Sequence, residues 1–191
     1  MREGLREELE KRFGADATVQ TAAWAGFAAA LDGVKAHTAL EIGTMHGLTA
    51  GILAEFADRV VTIDVVDRPI ADVILDAMGV RNRVARIVVK DDSEKALVIA
   101  LLKFDLAFID ADHSRLAVAQ DFSLVRKCGR VLFHDYPAVE WGERPYDPTA
   151  HMNGNGPADG PGFLLDALRP AGRIVRKPPF AWWFAQEQSG E

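Results

Sequence analysis

The feature that most constrains this chain is the stretch Thr38-Ala39-Leu40-Glu41-Ile42-Gly43-Thr44-Met45-His46-Gly47-Leu48-Thr49. An apolar run closes on an acid, passes through two glycines four residues apart, and opens into an amphipathic segment over 50–56. A strand, a tight turn and a helix follow from that order. Gly43 and Gly47 remove side chains where the chain reverses, so backbone N–H groups at the helix start are expected to approach a bound molecule closely. The spacing is G-x-x-x-G, with Glu41 two residues before the first glycine, and differs from the G-x-G-x-x-G of a dinucleotide site. Residues 59–64, ending in Asp64, read as a second strand whose terminal carboxylate can accept hydrogen bonds from ribose hydroxyls.

The alternation continues along the chain. A helix is predicted over 69–78, opened by Pro69 and closed by Gly79, and a third strand over 84–89. Asp91-Asp92-Ser93-Glu94 supplies capping residues ahead of Ala96, Leu97 and Ile99, so another helix begins there. The fourth strand, 104–109, runs into Asp110-Ala111-Asp112-His113-Ser114 and a helix over 116–127; the fifth, 130–133, runs into His134-Asp135. Strands alternating with helices imply an α/β chain with a mostly parallel sheet covered by helices on both faces. Right-handed crossovers then align all strand C-termini on one edge, with ligands bound beyond it where the strand order reverses, here at the first strand.

Residues 137–162 hold five prolines and five glycines without apolar periodicity, which predicts a long functional loop carrying Trp141, Tyr146, His151 and Asn153. After it, 163–168 reads as a short helix, and 173–175 with 181–185 as two strands of a closing hairpin. Upstream, Leu5, Leu9 and Phe13 and then Trp24, Phe27 and Leu31 recur at helical spacing. At 191 residues, one domain spans 1–191: leading helices over 1–33, a ligand-binding core over 34–136, the loop over 137–162, and a helix and hairpin over 163–191.

A net charge of -6 argues against nucleic acid as partner, since phosphate neutralisation needs a basic surface. The lone Cys128 fits a reducing compartment. The charged N-terminus lacks a signal peptide's apolar core, and no run reaches the length of a membrane span. A cytoplasmic protein acting on a small molecule is expected.

Four of the five histidines, His46, His113, His134 and His151, fall in loops after strands, on the edge expected to bind ligands. If the fourth and fifth strands lie beside the first, Asp110, His134 and Asp135 converge outside the glycine turn. Two carboxylates and an imidazole can hold a divalent cation that also binds an acceptor hydroxyl. The competing reading makes Asp110 a helix cap and leaves His134 and Asp135 bonding backbone.

The glycine turn and the acid of the second strand together resemble the first two motifs of class I S-adenosylmethionine-dependent methyltransferases. Ile109-Asp110-Ala111-Asp112-His113 and Leu132-Phe133-His134-Asp135 resemble the metal segments of catechol O-methyltransferase-like enzymes and their bacterial relatives. The resemblance covers roughly 35–136 and implies a single Rossmann-like domain with a seven-stranded sheet and a C-terminal antiparallel hairpin. It implies S-adenosylmethionine as cofactor: Glu41, Gly43, Thr44, Met45 and Gly47 face its methionine moiety, Asp64 its ribose, and Asp92 and Ser93 its adenine, with Asp110 bordering both cofactor and metal. It implies a magnesium or manganese ion on Asp110, His134 and Asp135, a small-molecule hydroxyl as acceptor, and leading helices that cover the cleft or pair two copies as a homodimer. The family's catalytic lysine is replaced by His113, an imidazole able to take a hydroxyl proton near neutrality. His134 stands where catechol enzymes carry an acid, and imidazole suits manganese, iron or zinc better than magnesium. Two other readings stay open: a non-catalytic S-adenosylmethionine-binding module, and a nicotinamide oxidoreductase.

Overall fold

The five leading strands all run the same way, because each of the first four is followed by a helix that carries the chain back across the sheet. In the computed structural model, residues 11, 26–134, 164, 165, 167, 168, 171–177 and 180–185 are described. The elements in order are β1 (Ala36–Ile42), α1 (Leu48–Phe56), β2 (Ala57–Asp64), α2 (Ile70–Ala77), β3 (Val84–Val88), α3 (Asp92–Leu101), β4 (Leu106–Ile109), α4 (Arg115–Val125), β5 (Arg130–Phe133), β6 (Gly172–Lys177) and β7 (Phe180–Ala185). They build one seven-stranded sheet in the order β3-β2-β1-β4-β5-β7-β6. The expected α/β class, parallel sheet and antiparallel hairpin are all present.

Strand order reverses between β1 and β4, which opens the crevice expected at the first strand. The hairpin strands run longer than periodicity predicts. β7 lies between β5 and β6, and its Phe-Ala-Trp-Trp run is buried on both faces, with Phe180 and Trp182 in one core cluster and Ala181 and Trp183 in the other. A strand buried on both faces reads as a continuous apolar run, which hides its ends from period-2 analysis.

Alternation along the strands divides the core. Leu106 and Phe108 of β4 join Leu132, Phe180 and Trp182 with Leu48, Ile52 and Leu53 of α1 and Ile74 and Leu75 of α2 on one face. Ala107 and Ile109 join Val131 and Phe133 with Ile99 of α3 and Val118, Phe122 and Val125 of α4 on the other. A helical segment over 26–30 adds Phe27 to the first face, where its ring lies 4.7 Å from Phe108 and 5.2 Å from Phe180. Burying such a ring contributes about 1.5–3 kcal/mol. Apart from Lys11, the expected helix over 2–13 lies outside the described residues, as do the loop over 137–162 and Asp135.

Candidate active site

Register explains why distant residues meet at the upper edge. Ile42 pairs with Ile109, and Ile109 with Phe133, so Gly43, Asp110 and His134 leave their strands side by side. Asp110 N–H donates to the Ile42 carbonyl at 2.9 Å, and His134 N–H to the Ile109 carbonyl at 3.2 Å. The Asp110 backbone passes directly over Gly43, and a Cβ there would overlap its carbonyl. Gly43 is therefore required by close approach as well as by its φ of 102°. The turn and the acid after β4 form one continuous surface.

The turn itself differs from expectation. Gly43 N–H donates to the Ile63 carbonyl at 2.8 Å, Gly47 N–H to the Thr44 carbonyl at 2.7 Å, and the Thr44 and Met45 amides to Asp64 Oδ2 at 3.0 and 2.9 Å. These four N–H groups hold the turn in shape instead of pointing at a ligand. Asp64 Oδ1 also accepts from Val66 N–H at 3.0 Å, so three of its roughly four acceptor positions are taken. Asp64 first clamps the turn and has about one position left for a ligand. Met45 adopts φ 44°, which costs a non-glycine residue on the order of 1 kcal/mol. No sequence signal marks that strain.

Glu41 is wholly buried beneath the turn. Thr62, its register partner on β2, donates a hydroxyl to Glu41 Oε2 at 2.5 Å, which leaves the Thr44 hydroxyl to bond Thr62 at 2.6 Å. Oε1 is sealed with no well-formed hydrogen bond among the described residues. Burial drives the carboxyl from 4.5 up to about 8, while Thr49 and Thr62 oppose the rise, so Glu41 is a neutral acid at pH 7. It supports the turn from below and does not line open surface. The available signal was Thr62, a polar residue set between the apolar Val61 and Ile63.

Asp110, His113 and His134 come together, each partly exposed. His134 Nδ1 lies 2.9 Å and His113 Nε2 3.2 Å from the same oxygen, Asp110 Oδ1. Burial works to raise the Asp110 carboxyl, yet the two imidazoles outweigh it and hold the group below its usual range. The His134 ring lies 5.0 Å from the buried Phe180 ring, tilted 38° to it. His113 is set by the α4 cap: Ser114 Oγ accepts from Ala117 N–H, and Asp112 Oδ1 accepts from Ser114 N–H at 2.8 Å. Sequence reading brought Asp110 and His134 together but kept His113 apart as a separate base.

Elsewhere, Asp92 and Ser93 are exposed at the start of α3, whose true cap is Asp91, accepting from Glu94 N–H at 2.9 Å. Asp92 is tied to the buried Lys95 at 2.8 Å, and Lys95 in turn to the buried Asp121 at 2.6 Å. Apolar Met45, Val65 and Val66, which flank Asp64 on the same edge, stay 45%, 55% and 44% exposed.

A family model described as a methyltransferase domain matches residues 40–136, the segment from the end of β1 to just past β5. The chain belongs to this methyltransferase family. The match bears out the methyltransferase resemblance read from the glycine turn and the strand-end acids. The methyltransferase shares its fold with an O-methyltransferase from Bacillus cereus solved with S-adenosylhomocysteine, at 20% identity and TM-score 0.63, covering 96% of this chain and 92% of that one. It is similar in the same way to the Podospora anserina methyltransferase PaMTH1, solved with S-adenosylhomocysteine (20% identity, TM-score 0.64, coverage 98% and 89%). The O-methyltransferase TomG of Streptomyces achromogenes, in complex with S-adenosylmethionine, matches at 20% identity and TM-score 0.61, over 97% and 90% of the two chains. No curated protein matches this methyltransferase by sequence. Among its described residues, no helix is long and apolar enough to cross a membrane.

Proposed function

We propose that this methyltransferase binds S-adenosylmethionine over the 43–47 turn and methylates a hydroxyl of a small molecule held beside Asp110, His113 and His134. The observation that carries the reading is the seating of that carboxylate–imidazole cluster directly against the turn, where Asp110 covers Gly43. The cofactor fits the residues present. Asp64 keeps about one acceptor position for a sugar hydroxyl, and exposed Met45, Val65 and Val66 form an apolar shelf suited to a flat base. When bound, S-adenosylmethionine supplies the activated methyl group.

The protein's share is alignment and proton removal. Positioning the two reactants can supply several kcal/mol, about 7–11 in the best-oriented cases. A divalent cation fits the donor set, with Asp110 and His134 as two of the expected ligands, and would orient and acidify an acceptor hydroxyl. The imidazoles of the cluster serve as proton acceptors where no cation holds them, and as donors to it where one does. The net charge of -6 favours a small acceptor over nucleic acid.

The test is calorimetric titration of the full chain with S-adenosylmethionine, S-adenosylhomocysteine and NAD. The expected result is one site for the first two and no heat with NAD. Asp64→Ala, which frees two turn amides and removes the ribose acceptor, should weaken binding at least tenfold. Heat with NAD alone would overturn the reading, and so would an Asp64→Ala variant binding S-adenosylmethionine as tightly as the unaltered chain.

A further inference from the structure

We propose that His113 is a protein donor, with Asp110 and His134, to the cation of this centre, and that the centre takes a first-row transition ion in preference to magnesium. This assignment rests on the methyltransferase reading of the edge. It moves His113 from proton acceptor to ligand.

The first support is where the imidazoles point. Both address Asp110 Oδ1, from 2.9 and 3.2 Å, and the three candidate donor atoms lie within 4.8 Å of one another. Two ligand atoms each about 2.1 Å from a common ion stand about 3.0 Å apart at a right angle and about 3.4 Å apart at a tetrahedral one. The two separations to Asp110 Oδ1, 2.9 and 3.2 Å, lie close to that spacing, and the two nitrogens are within 4.8 Å of each other. As hydrogen bonds alone, the same contacts require one carboxylate oxygen to accept two ring protons, from the Nδ1–H form of His134 and the Nε2–H form of His113.

The second support is preorganisation. The Asp110 backbone is held by its N–H hydrogen bond to the Ile42 carbonyl, the His134 backbone by its N–H hydrogen bond to the Ile109 carbonyl with the ring packed beside Phe180, and the His113 backbone by the Asp112 and Ser114 hydrogen bonds that open α4. Three donors from two adjacent strand ends and one helix cap are thus held on rigid elements before any ion arrives. The imidazole rings approach edge to face, with centroids 6.2 Å apart, so their nitrogens converge without stacking.

The third support is donor chemistry. Magnesium selects oxygen ligands and keeps much of its water, whereas two imidazoles and one carboxylate suit manganese, iron, cobalt or zinc. Magnesium-type recognition would need the two nitrogens to be replaced by oxygens.

The test uses the full chain, stripped with chelator and titrated by calorimetry with Mn²⁺, Co²⁺, Zn²⁺ and Mg²⁺. Cobalt and zinc are expected to bind one site at least a hundredfold more tightly than magnesium. Pulsed electron paramagnetic resonance of the Mn²⁺-loaded chain should show nitrogen couplings from two imidazoles, a readout that needs no variant. His113→Gln should leave one of them and weaken Co²⁺ binding at least tenfold, while His37→Gln, at the opposite end of the sheet, should leave both readouts unchanged. Magnesium binding as tightly as cobalt would overturn the assignment, as would two nitrogen couplings persisting in His113→Gln. S-adenosylmethionine binding in the same samples separates the two readings: cofactor bound with no cation site overturns this assignment alone, and no cofactor bound overturns the methyltransferase reading.

Discussion

The two ends of β4 carry an aspartate each, five positions apart, and the molecule treats them in opposite ways. At the lower end, Asp105 accepts from the His37 and Thr38 amides, at 3.1 Å and 2.9 Å, and from Arg130 Nη2 at 2.7 Å. Arg130 also donates to the Asp105 and Lys35 carbonyls, at 2.9 and 3.0 Å, so this end is held by a permanent cation and by backbone. At the upper end, Asp110 faces two imidazoles, groups that gain or lose a proton or take up an ion near neutral pH. The strained turn and the sealed Glu41 lie at that end too. One residue type at the two ends of one strand therefore meets a fixed guanidinium charge and backbone at one end, and two imidazoles of the candidate site at the other.

The largest expected effect belongs to Glu41. Its folded value of about 8 lies above the ordinary 4.5, so the folded chain binds more protons than the unfolded chain between those values. Stability is then greatest at the acid side and falls as pH rises toward 8, by as much as about 1.4 kcal/mol per pH unit. Glu41→Gln should flatten that slope, so that the variant gains on the unaltered chain by about 3 kcal/mol between pH 5 and 8. Denaturant unfolding at several pH values measures it. Parallel curves would mean that the upper edge holds no stored cost, and the contrast with Asp105 would lose its main support.

The next effect sharpens the contrast directly. Asp105→Ala leaves two amides without their acceptor and takes one partner from Arg130; because the carboxylate is 45% exposed, water recovers part of the loss, and the cost is about 1 kcal/mol at pH 7, with cofactor affinity retained. The Asp105 carboxyl is held below its usual range although burial opposes this, because the His37 and Thr38 amides and Arg130 favour its charge. Its contribution is present above pH 4 and is lost as acid protonates it, so the gap between variant and unaltered chain should close in that window. Equal loss of cofactor affinity in Asp105→Ala would erase the division of labour between the two ends.

The smallest effect is at Met45. Met45→Gly removes the positive-φ cost and should leave stability within about 1 kcal/mol of the unaltered chain, because glycine also loses more freedom on folding. Its exposed side chain should instead register as weaker cofactor binding. A Met45→Gly chain that unfolds some 10 °C earlier would show the side chain to be structural, aligning the turn with the lower end.

Much of this was legible without coordinates. Gly43 and Gly47, the acids at the strand ends, and the alternation of apolar periods are local, and locality is what a sequence states directly: where the chain must turn, which segments hide one face, which residues end up on the ligand edge. From that, the strand-turn-helix unit and the nearness of Asp110 to His134 followed. The burial of Glu41, the clamping of four turn amides, the strain at Met45 and the shared oxygen between His113 and His134 did not. Each depends on which strands are neighbours and in what register, since Glu41 meets Thr62, and Asp110 meets His134, across separations of 21 and 24 residues. The sequence by itself determined the periods, the turns and the chemical groups available. Only the tertiary structure decided which of those groups share an oxygen, because desolvation and hydrogen-bond geometry act through space and are blind to order along the chain.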